Sequence, residues 1–424
     1  MMAGERPLRI LVLSQYFWPE DFRINDLALA LKERGHHIEV LTGIPNYPEG
    51  RSYPGYTPFR PRQEEYHGIP VRRVPLLPRG RAGGVRLALN YASFALTASL
   101  LAPLVARRRY DVILVYEVSP ITVGIPALVL KRLSGAALLF WVLDLWPEVL
   151  QGTGAVSSES VLGAVRRLAR RIYRGSDRIL VSSEGFLRPV SVLADGDARV
   201  RYFPQSAEPF YRPLSLEETE GVPPLPAGFR VMVAGNIGAS QDFPTLLAAA
   251  ELLRGRGDIH WIVVGDGRMR EWVEREVRER GLGSTVHLLG RHPAERMPHF
   301  FAHADVLLAL LKRAPAYAYT LPAKVPSYLA SARPLIAAMD GEGARVVNDA
   351  RAGLSCPAED PRALADAVLA IRALSTEERA AMGARGRGYF LEHFERERLT
   401  TRLEGWMREV APGRVNSRAP GVKS

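Results

Sequence analysis

The chain has 424 residues, 47% hydrophobic and 24% charged, with a formal net charge of +11 and one cysteine, Cys356. That length exceeds a single core and predicts two domains of ordinary globular composition. One cysteine excludes an internal disulfide framework and a cysteine-built metal site; the positive charge favours anionic partners, but with no zinc-finger spacing, RNP-like strand or lone recognition helix, nucleic acid is not expected.

The first stretch, "MMAGERPLRILVLSQ", has too short an apolar run for a signal peptide, so a cytoplasmic protein is expected, and Cys356 reads as a small, part-buried hydrophobe. Strands are expected at 8–14, 37–42, 111–116, 137–143, 177–183 and 200–204. A helix over 23–35 ends at Gly35, and other helical stretches lie between the strands. Short apolar strands separated by helices predict a parallel sheet covered on both faces. Residues 43–62, dense in Pro, Gly and Tyr, read as a long irregular loop.

Leu87–Ala106 has the length of a membrane span, diluted by Asn90, Ser93, Thr97, Ser99 and Pro103 and flanked by arginines. A helix buried in the fold, a face dipping into a membrane interface and a true span are all open readings. In "VLGAVRRLARRIYRG", 161–175, Val161, Val165, Leu168 and Ile172 recur at helical spacing with arginines between. Such a helix suits either sheet packing or an anionic membrane surface.

A Pro-rich linker over 205–228 separates this half from a second run of strands at 229–235, 259–265, 285–290, 305–311 and 334–339. The fold class is therefore α/β, with two doubly wound Rossmann-like domains facing a cleft. The first spans 1–204 and the second 229–390. A C-terminal helix over 391–410 can cross back to the first domain, and a disordered tail occupies 411–424.

In open α/β sheets, ligands meet the carboxyl ends of the strands. Three glycine-opened turns lie there in the second domain: "GNIG" with Gly235, Asn236 and Gly238; "GDG" with Gly265, Asp266 and Gly267; and "DGEGA" with Asp340, Gly341, Glu342, Gly343 and Ala344. Free amides at helix starts suit phosphate oxygens, so the three together predict an anionic-ligand cradle. None is a P-loop or a dinucleotide fingerprint. Lys324, among small and apolar neighbours, is the expected point charge for a diphosphate. In the first domain, "SQYFWPE" and "DLWPE" place Tyr16, Trp18, Glu20, Asp144, Trp146 and Glu148 at strand ends. Aromatic rings and carboxylates of that kind suit a sugar.

The ordered set "YFWPE", "PNYPEG", "DLWPE", "GNIG…Q", "GDG", "K…SYLA…P" and "DGEGA" resembles family-4 glycosyltransferases of the GT-B fold, in particular the WbuB-like group of bacterial surface-polysaccharide enzymes. The resemblance spans about residues 8–405. It implies a nucleotide-diphosphate sugar held by the second domain, an acceptor in the first, and retaining transfer without metal or cofactor. Gly235, Asn236, Gly238, Gln241 and Lys324 would meet the diphosphate. Gly265, Asp266, Gly267, Gly290 and Arg291 would line the base and ribose, and Asp340 to Ala344 the donor sugar. Asp144, Lys324 and Glu342 take the catalytic positions. Tyr16, Trp18, Glu20, Trp146 and Glu148 take the acceptor side.

The sequence departs from the family where an Arg and a Lys are common (Asn236 and Gln241), where paired glutamates stand (Tyr319 and Ser327), and where a histidine precedes the aspartate (Leu143). The formal charge then falls to Lys324. The expected acceptor is a polyprenyl-diphosphate-linked glycan. The rival readings are a nucleotide-sugar epimerase of the same architecture, a two-lobed solute-binding protein and a dehydrogenase; the last two lack an export signal and a G-x-G-x-x-G, respectively.

Overall fold

The computed structural model describes residues 6–80, 84–152, 156 and 158–412, so most of the expected tail, 413–424, lies outside the described residues. The chain forms two compact units. The first comprises residues 1–182, 186–203 and 400–424; the second comprises 183–185 and 204–399.

The first unit is built on an eight-stranded sheet. Its strands are β1 (Arg9–Leu13), β2 (His37–Gly43), β3 (Arg62–Tyr66), β4 (Ile69–Val74), β5 (Val112–Glu117), β6 (Ala137–Val142), β7 (Arg178–Val181) and β8 (Val200–Tyr202). Their order is β3-β4-β2-β1-β5-β6-β7-β8. All pairs are parallel except the β3–β4 hairpin, for which the sequence pattern predicts no strand. The helices are α1 (Ile24–Glu33), α2 (Gly84–Ala106), α3 (Gly124–Ser134), α4 (Glu148–Gly152), α5 (Glu159–Gly175) and α6 (Leu187–Leu193). One apolar cluster joins a single sheet face (Leu11, Ile113, Phe140, Val181) to α2 (Phe94, Ala98), α3 (Leu130), α5 (Ile172) and α6 (Val190). These four helices therefore form one layer. The strands buried on both faces are continuous Val/Ile/Leu runs, as a doubly covered parallel sheet demands.

The second unit has β9 (Phe229–Ala234), β10 (Ile259–Val264), β11 (Val286–Gly290), β12 (Val306–Leu310), β13 (Leu335–Ala338) and β14 (Gly353–Cys356), in the order β11-β10-β9-β12-β13-β14. Its helices are α7 (Phe243–Leu252), α8 (Arg270–Glu279), α9 (Met297–Ala302), α10 (Pro315–Ala318), α11 (Lys324–Ala330), α12 (Glu342–Asp349), α13 (Pro361–Ala373) and α14 (Thr376–His393), followed by α15 (Arg396–Val410). Helices begin where chemistry favours it: Asp360 caps α13 through the Ala363 amide, and Ser375 with Glu378 forms a capping box on α14. The last helix carries the chain out of the second unit; from Thr400 onward it belongs to the first. There Trp406 meets Phe203 edge-on, and Glu404 accepts from Arg34 at 3.1 Å. The expected linker is mostly irregular, with one 3₁₀ turn at Leu216–Glu218 capped by Ser215. Cys356 is buried.

Candidate functional sites at two sheet reversals

Each sheet reverses its strand order once. In the second unit, β9 leads outward to β10 and β11, while β12 leads the other way to β13 and β14. The loops after β9 and β12 diverge and open a crevice at the strands' carboxyl ends, the place where doubly wound sheets bind ligands. Most of the sequence-predicted donor residues follow the carboxyl ends of β9, β10, β11 and β13.

Gly235 follows β9 at φ +117, and a Cβ added there would meet nothing within 4 Å, so its backbone is open to a close approach. The turn is stitched from behind. The Gly235 amide donates to the Val264 carbonyl at 2.9 Å, that of Ile237 to Asp266 at 2.8 Å, and that of Gly265 to Gly290 at 2.7 Å. Those donors are therefore spent. Among the described residues, the amides of Asn236, Gly238 and Ala239 in this turn meet no internal acceptor. Asn236 is exposed, with its side chain against Gly238 and Gly267. Asp266 is exposed, accepts from the Gly267 amide at 2.8 Å and lies 3.7 Å from Arg270. Arg291 is exposed beside Gly290.

Lys324 begins α11 and is partly buried; its ammonium donates to the Gln241 side-chain carbonyl. Lysine and glutamine from segments 83 residues apart are thus joined at the β9 crevice. Burial pushes the Lys324 ammonium down to about 8. Tyr328, one turn along α11, fixes the register. Its hydroxyl accepts from the Ala234 amide at 2.9 Å and donates to the Ala234 carbonyl at 3.2 Å. The helix carrying Lys324 is therefore pinned to the end of the strand carrying Gly235. The sequence reading assigns Tyr328 no role; its signal is a tyrosine in an otherwise small and apolar helix.

The third turn is tighter. Gly341 has φ +77, and a Cβ there would lie 2.0 Å from the Ala318 carbonyl oxygen, so only glycine fits. The first internal bond of α12 is made by the Arg345 amide to Gly341, which leaves the amides of Glu342, Gly343 and Ala344 as first-turn donors. Two carboxylates here are already engaged. Asp340 accepts from the Ala358 amide at 3.1 Å and from Arg313 at 3.2 Å. Glu342 accepts both arms of Arg345, at 3.0 and 2.9 Å, and Arg345 also reaches Glu184 and Asp349.

In the first unit the reversal falls between β1 and β5. The Tyr16–Glu20 segment follows β1. Tyr16 is buried, stacked on Phe22 at 5.3 Å and tilted against Tyr47 at 5.7 Å. Trp18 is half-buried against Tyr66, and its carbonyl accepts from Arg73. Glu20 does not face a ligand. It is buried and accepts from the amides of Asn46 at 2.8 Å, Tyr47 at 2.7 Å and Phe17 at 3.3 Å, clamping the 44–48 loop to the segment after β1. Burial pushes Glu20 up to about 7 against those three donors.

Glu117, which ends β5, was missed. It is fully buried; one oxygen takes the amides of Leu143 and Asp144 at 3.3 and 3.4 Å, and the other has no hydrogen-bond partner. The sequence signal was a lone carboxylate closing the apolar run "VILVYE". Asp144 accepts the Ser119 hydroxyl. Burial, and for Glu117 also the neighbouring Asp144, hold both carboxyls above the usual carboxylate range. The Trp146 ring is buried beside Tyr91 at 6.5 Å with its indole N–H turned to the Glu117 carboxyl, and one Glu148 oxygen is buried and unpartnered. Unmet acceptors at a strand end are what a polyhydroxylated ligand would satisfy.

Two doubly wound domains of this kind make up the GT-B architecture. The solved structures agree: HepE of Anabaena, in complex with UDP, has a TM-score of 0.69 at 14% identity, covering 95% of this chain and 100% of that one. Sucrose-phosphate synthase of Thermosynechococcus elongatus has a TM-score of 0.72 at 18% identity, covering 96% and 99%. Residues 22–206 match the glycosyl transferase 4-like domain and residues 228–373 the glycosyl transferases group 1. A protein named for glycosyl transfer in colanic acid biosynthesis, WcaI of Escherichia coli, is 25% identical over 337 residues, 76% of this chain and 81% of that one. WbjE of Pseudomonas aeruginosa, named as a glycosyltransferase, is 26% identical over 244 residues, 53% and 58%. The chain belongs to the family-4 glycosyltransferases of the GT-B fold.

Proposed function

We propose that the enzyme moves a hexosyl or N-acetylhexosaminyl unit from a nucleotide-diphosphate sugar to a polyprenyl-diphosphate-linked glycan in surface-polysaccharide assembly, at the inner face of the cell membrane. Transfer retains the anomeric configuration and uses neither metal nor cofactor. The names of the two curated relatives and the UDP bound by HepE support this reading.

The observation that carries it is the Lys324–Gln241 contact beside the open Gly235 turn. In this reading the amides of Asn236, Gly238 and Ala239 and the Lys324 ammonium meet the diphosphate. Charge that develops on the departing diphosphate is then stabilised by donors already in place, which lowers the barrier. The transition state resembles an oxocarbenium ion. The first-turn amides of α12 hold the sugar end of the donor, and Asp144, Glu117 and Trp146 receive the acceptor.

Thermal-shift screening against a nucleotide-sugar panel tests the donor, because a ligand bound only by the native form raises Tm. One base should stand out, and its shift should vanish in Lys324→Ala. NMR of the product then reads the anomeric configuration. Turnover of the donor to a changed nucleotide sugar with no acceptor present would instead establish an epimerase.

A further inference from the structure

The polar residues that dilute the long apolar helix α2 are all turned inward or satisfied locally. Asn90 is buried and donates to the Leu77 carbonyl at 2.5 Å. Thr97 donates to the Pro75 and Ser93 carbonyls, Ser99 to Ala95, and Ser93 to Asn90. What remains outside is an apolar stripe: Val85, Leu89, Leu96, Leu100 and Leu104, with Leu96 61%, Leu100 71% and Leu104 57% exposed. Spacings of four and seven residues keep these side chains on one face over about 28 Å of helix. A contiguous exposed apolar strip of that length marks an interaction surface. The opposite face, Phe94, Ala98, Ala102 and Val105, is packed into the sheet cluster, so lipid cannot surround the helix and it does not cross a bilayer.

Two further observations identify the occupant. Exposed arginines stand at both ends of the stripe, Arg86 at one and Arg107 and Arg109 at the other. Helix α5, in the same helix layer, turns Arg166, Arg167, Arg170 and Arg171 to solvent. An apolar strip framed by cations matches an anionic bilayer surface, where leucines enter the acyl boundary and guanidinium groups meet lipid phosphates. A second copy of the same face would bring like charges together.

We infer that the α2–α5 layer of the first unit is a docking surface for an anionic membrane leaflet, with α2 lying in the interface and not through it. This deepens the membrane part of the function proposed above and rests on it.

The test is co-sedimentation with vesicles of phosphatidylcholine alone and of phosphatidylcholine mixed with phosphatidylglycerol. The intact chain should pellet with the mixed vesicles and only weakly with the neutral ones. Leu96→Glu with Leu100→Glu should weaken binding to the mixed vesicles by about tenfold or more, since two leucines leave the acyl boundary. Arg166→Glu with Arg170→Glu should remove the preference for anionic lipid. All four sites are exposed, and unchanged Tm would show that the fold survives. Wild-type-like binding by the leucine variant overturns the assignment, as does the absence of binding by the intact chain. Concentration-dependent dimerisation abolished by Leu100→Glu, without vesicle binding, assigns the stripe to a second copy and overturns it too. Nucleotide-sugar thermal shifts on the same samples keep the two readings apart: their loss in the intact chain sinks the donor assignment while leaving the vesicle result standing.

Discussion

The two sheet reversals share a topology and differ in the groups they present. The crevice after β9 in the second unit is lined by backbone amides, with one lysine held on a neutral glutamine. Its carboxylates, Asp340 and Glu342, are engaged with Arg313 and Arg345. The crevice after β5 in the first unit offers buried carboxyls beside an indole, and burial holds those carboxyls up in pKa. The first arrangement favours a fixed anion; the second favours a neutral ligand rich in hydroxyls. Topology supplies the place, and the charge state of the residues at each strand end decides what binds there.

The sharpest way to break that contrast is to remove the cation from the second unit. Lys324→Ala should lower kcat/KM for the donor by about 10²–10³, the size expected for losing one preorganised charge at a departing anion. It should not lower Tm. A lysine whose pKa falls to about 8 on folding is destabilising while charged, so the substitution should raise stability by roughly 1–3 kcal/mol at pH 7. Steady-state kinetics with product separation and a melting curve at the same pH read both effects. A large fall in Tm would make Lys324 a structural residue.

Next in size is Tyr328→Phe. The Ala234 amide would lose its hydroxyl acceptor in a buried place, at a cost of about 1–3 kcal/mol. Because the same bond registers α11 against β9, donor affinity should weaken as well, although Tyr328 is itself buried. Denaturant unfolding and donor titration on one preparation test this. Lost stability with unchanged donor affinity would separate Tyr328 from the site.

A smaller effect is expected in the first unit. Glu117 has its pKa raised on folding, so the folded state resists ionisation while the unfolded chain ionises in the ordinary carboxylate range. Stability contributed by the neutral carboxyl is present at acid pH and lost as pH rises from that range through neutrality. Glu117→Gln removes this slope. Its Tm should change less between about pH 5 and about pH 8 than that of the unaltered chain, by a few °C, at roughly 2–4 °C per kcal/mol. Parallel profiles would show that Glu117 does not carry the proton.

How far the sequence foretold these differences depends on what each element must bury. The inner strands were readable within a residue or two, because β1, β5, β10 and β12 are apolar on both faces and leave no ambiguity of period. The β3–β4 hairpin was not, since β3 reads RQEEY, an edge strand whose exposed, charged residues carry no core pattern. β14, at the other sheet's edge, escaped because its four residues, GLSC, are too few to show a period. In the site, glycine turns were legible because φ above zero or a backbone contact leaves glycine no substitute, as at Gly341. Glu20 was misjudged as ligand-facing, because nothing local shows that its donors are the amides of a loop more than 20 residues away. Which of two glutamates clamps a loop with both oxygens and which keeps one oxygen without a hydrogen bond is decided by tertiary packing, and that separates Glu20 from Glu117.

The smallest expected effect refines the donor side of the comparison. With Lys324 at about 8 in the free protein, raising the pH from about 7 to about 8.5 takes it from mostly charged to mostly neutral. A bound diphosphate favours the charged form, so the apparent Kd should rise about fourfold over that interval, proton uptake having to accompany binding. The diphosphate of a sugar nucleotide is doubly bridged and does not titrate there, so the slope belongs to the protein. Lys324→Met should bind more weakly at pH 7 and show no slope. Isothermal titration in two buffers of different ionisation heat counts the proton directly: uptake approaching one at pH 8.5 in the unaltered chain and none in Lys324→Met assigns the charge to this residue. An equal slope in both would move the cation to another side chain at the same crevice, with Lys312 and Arg313, just after β12, the first to substitute.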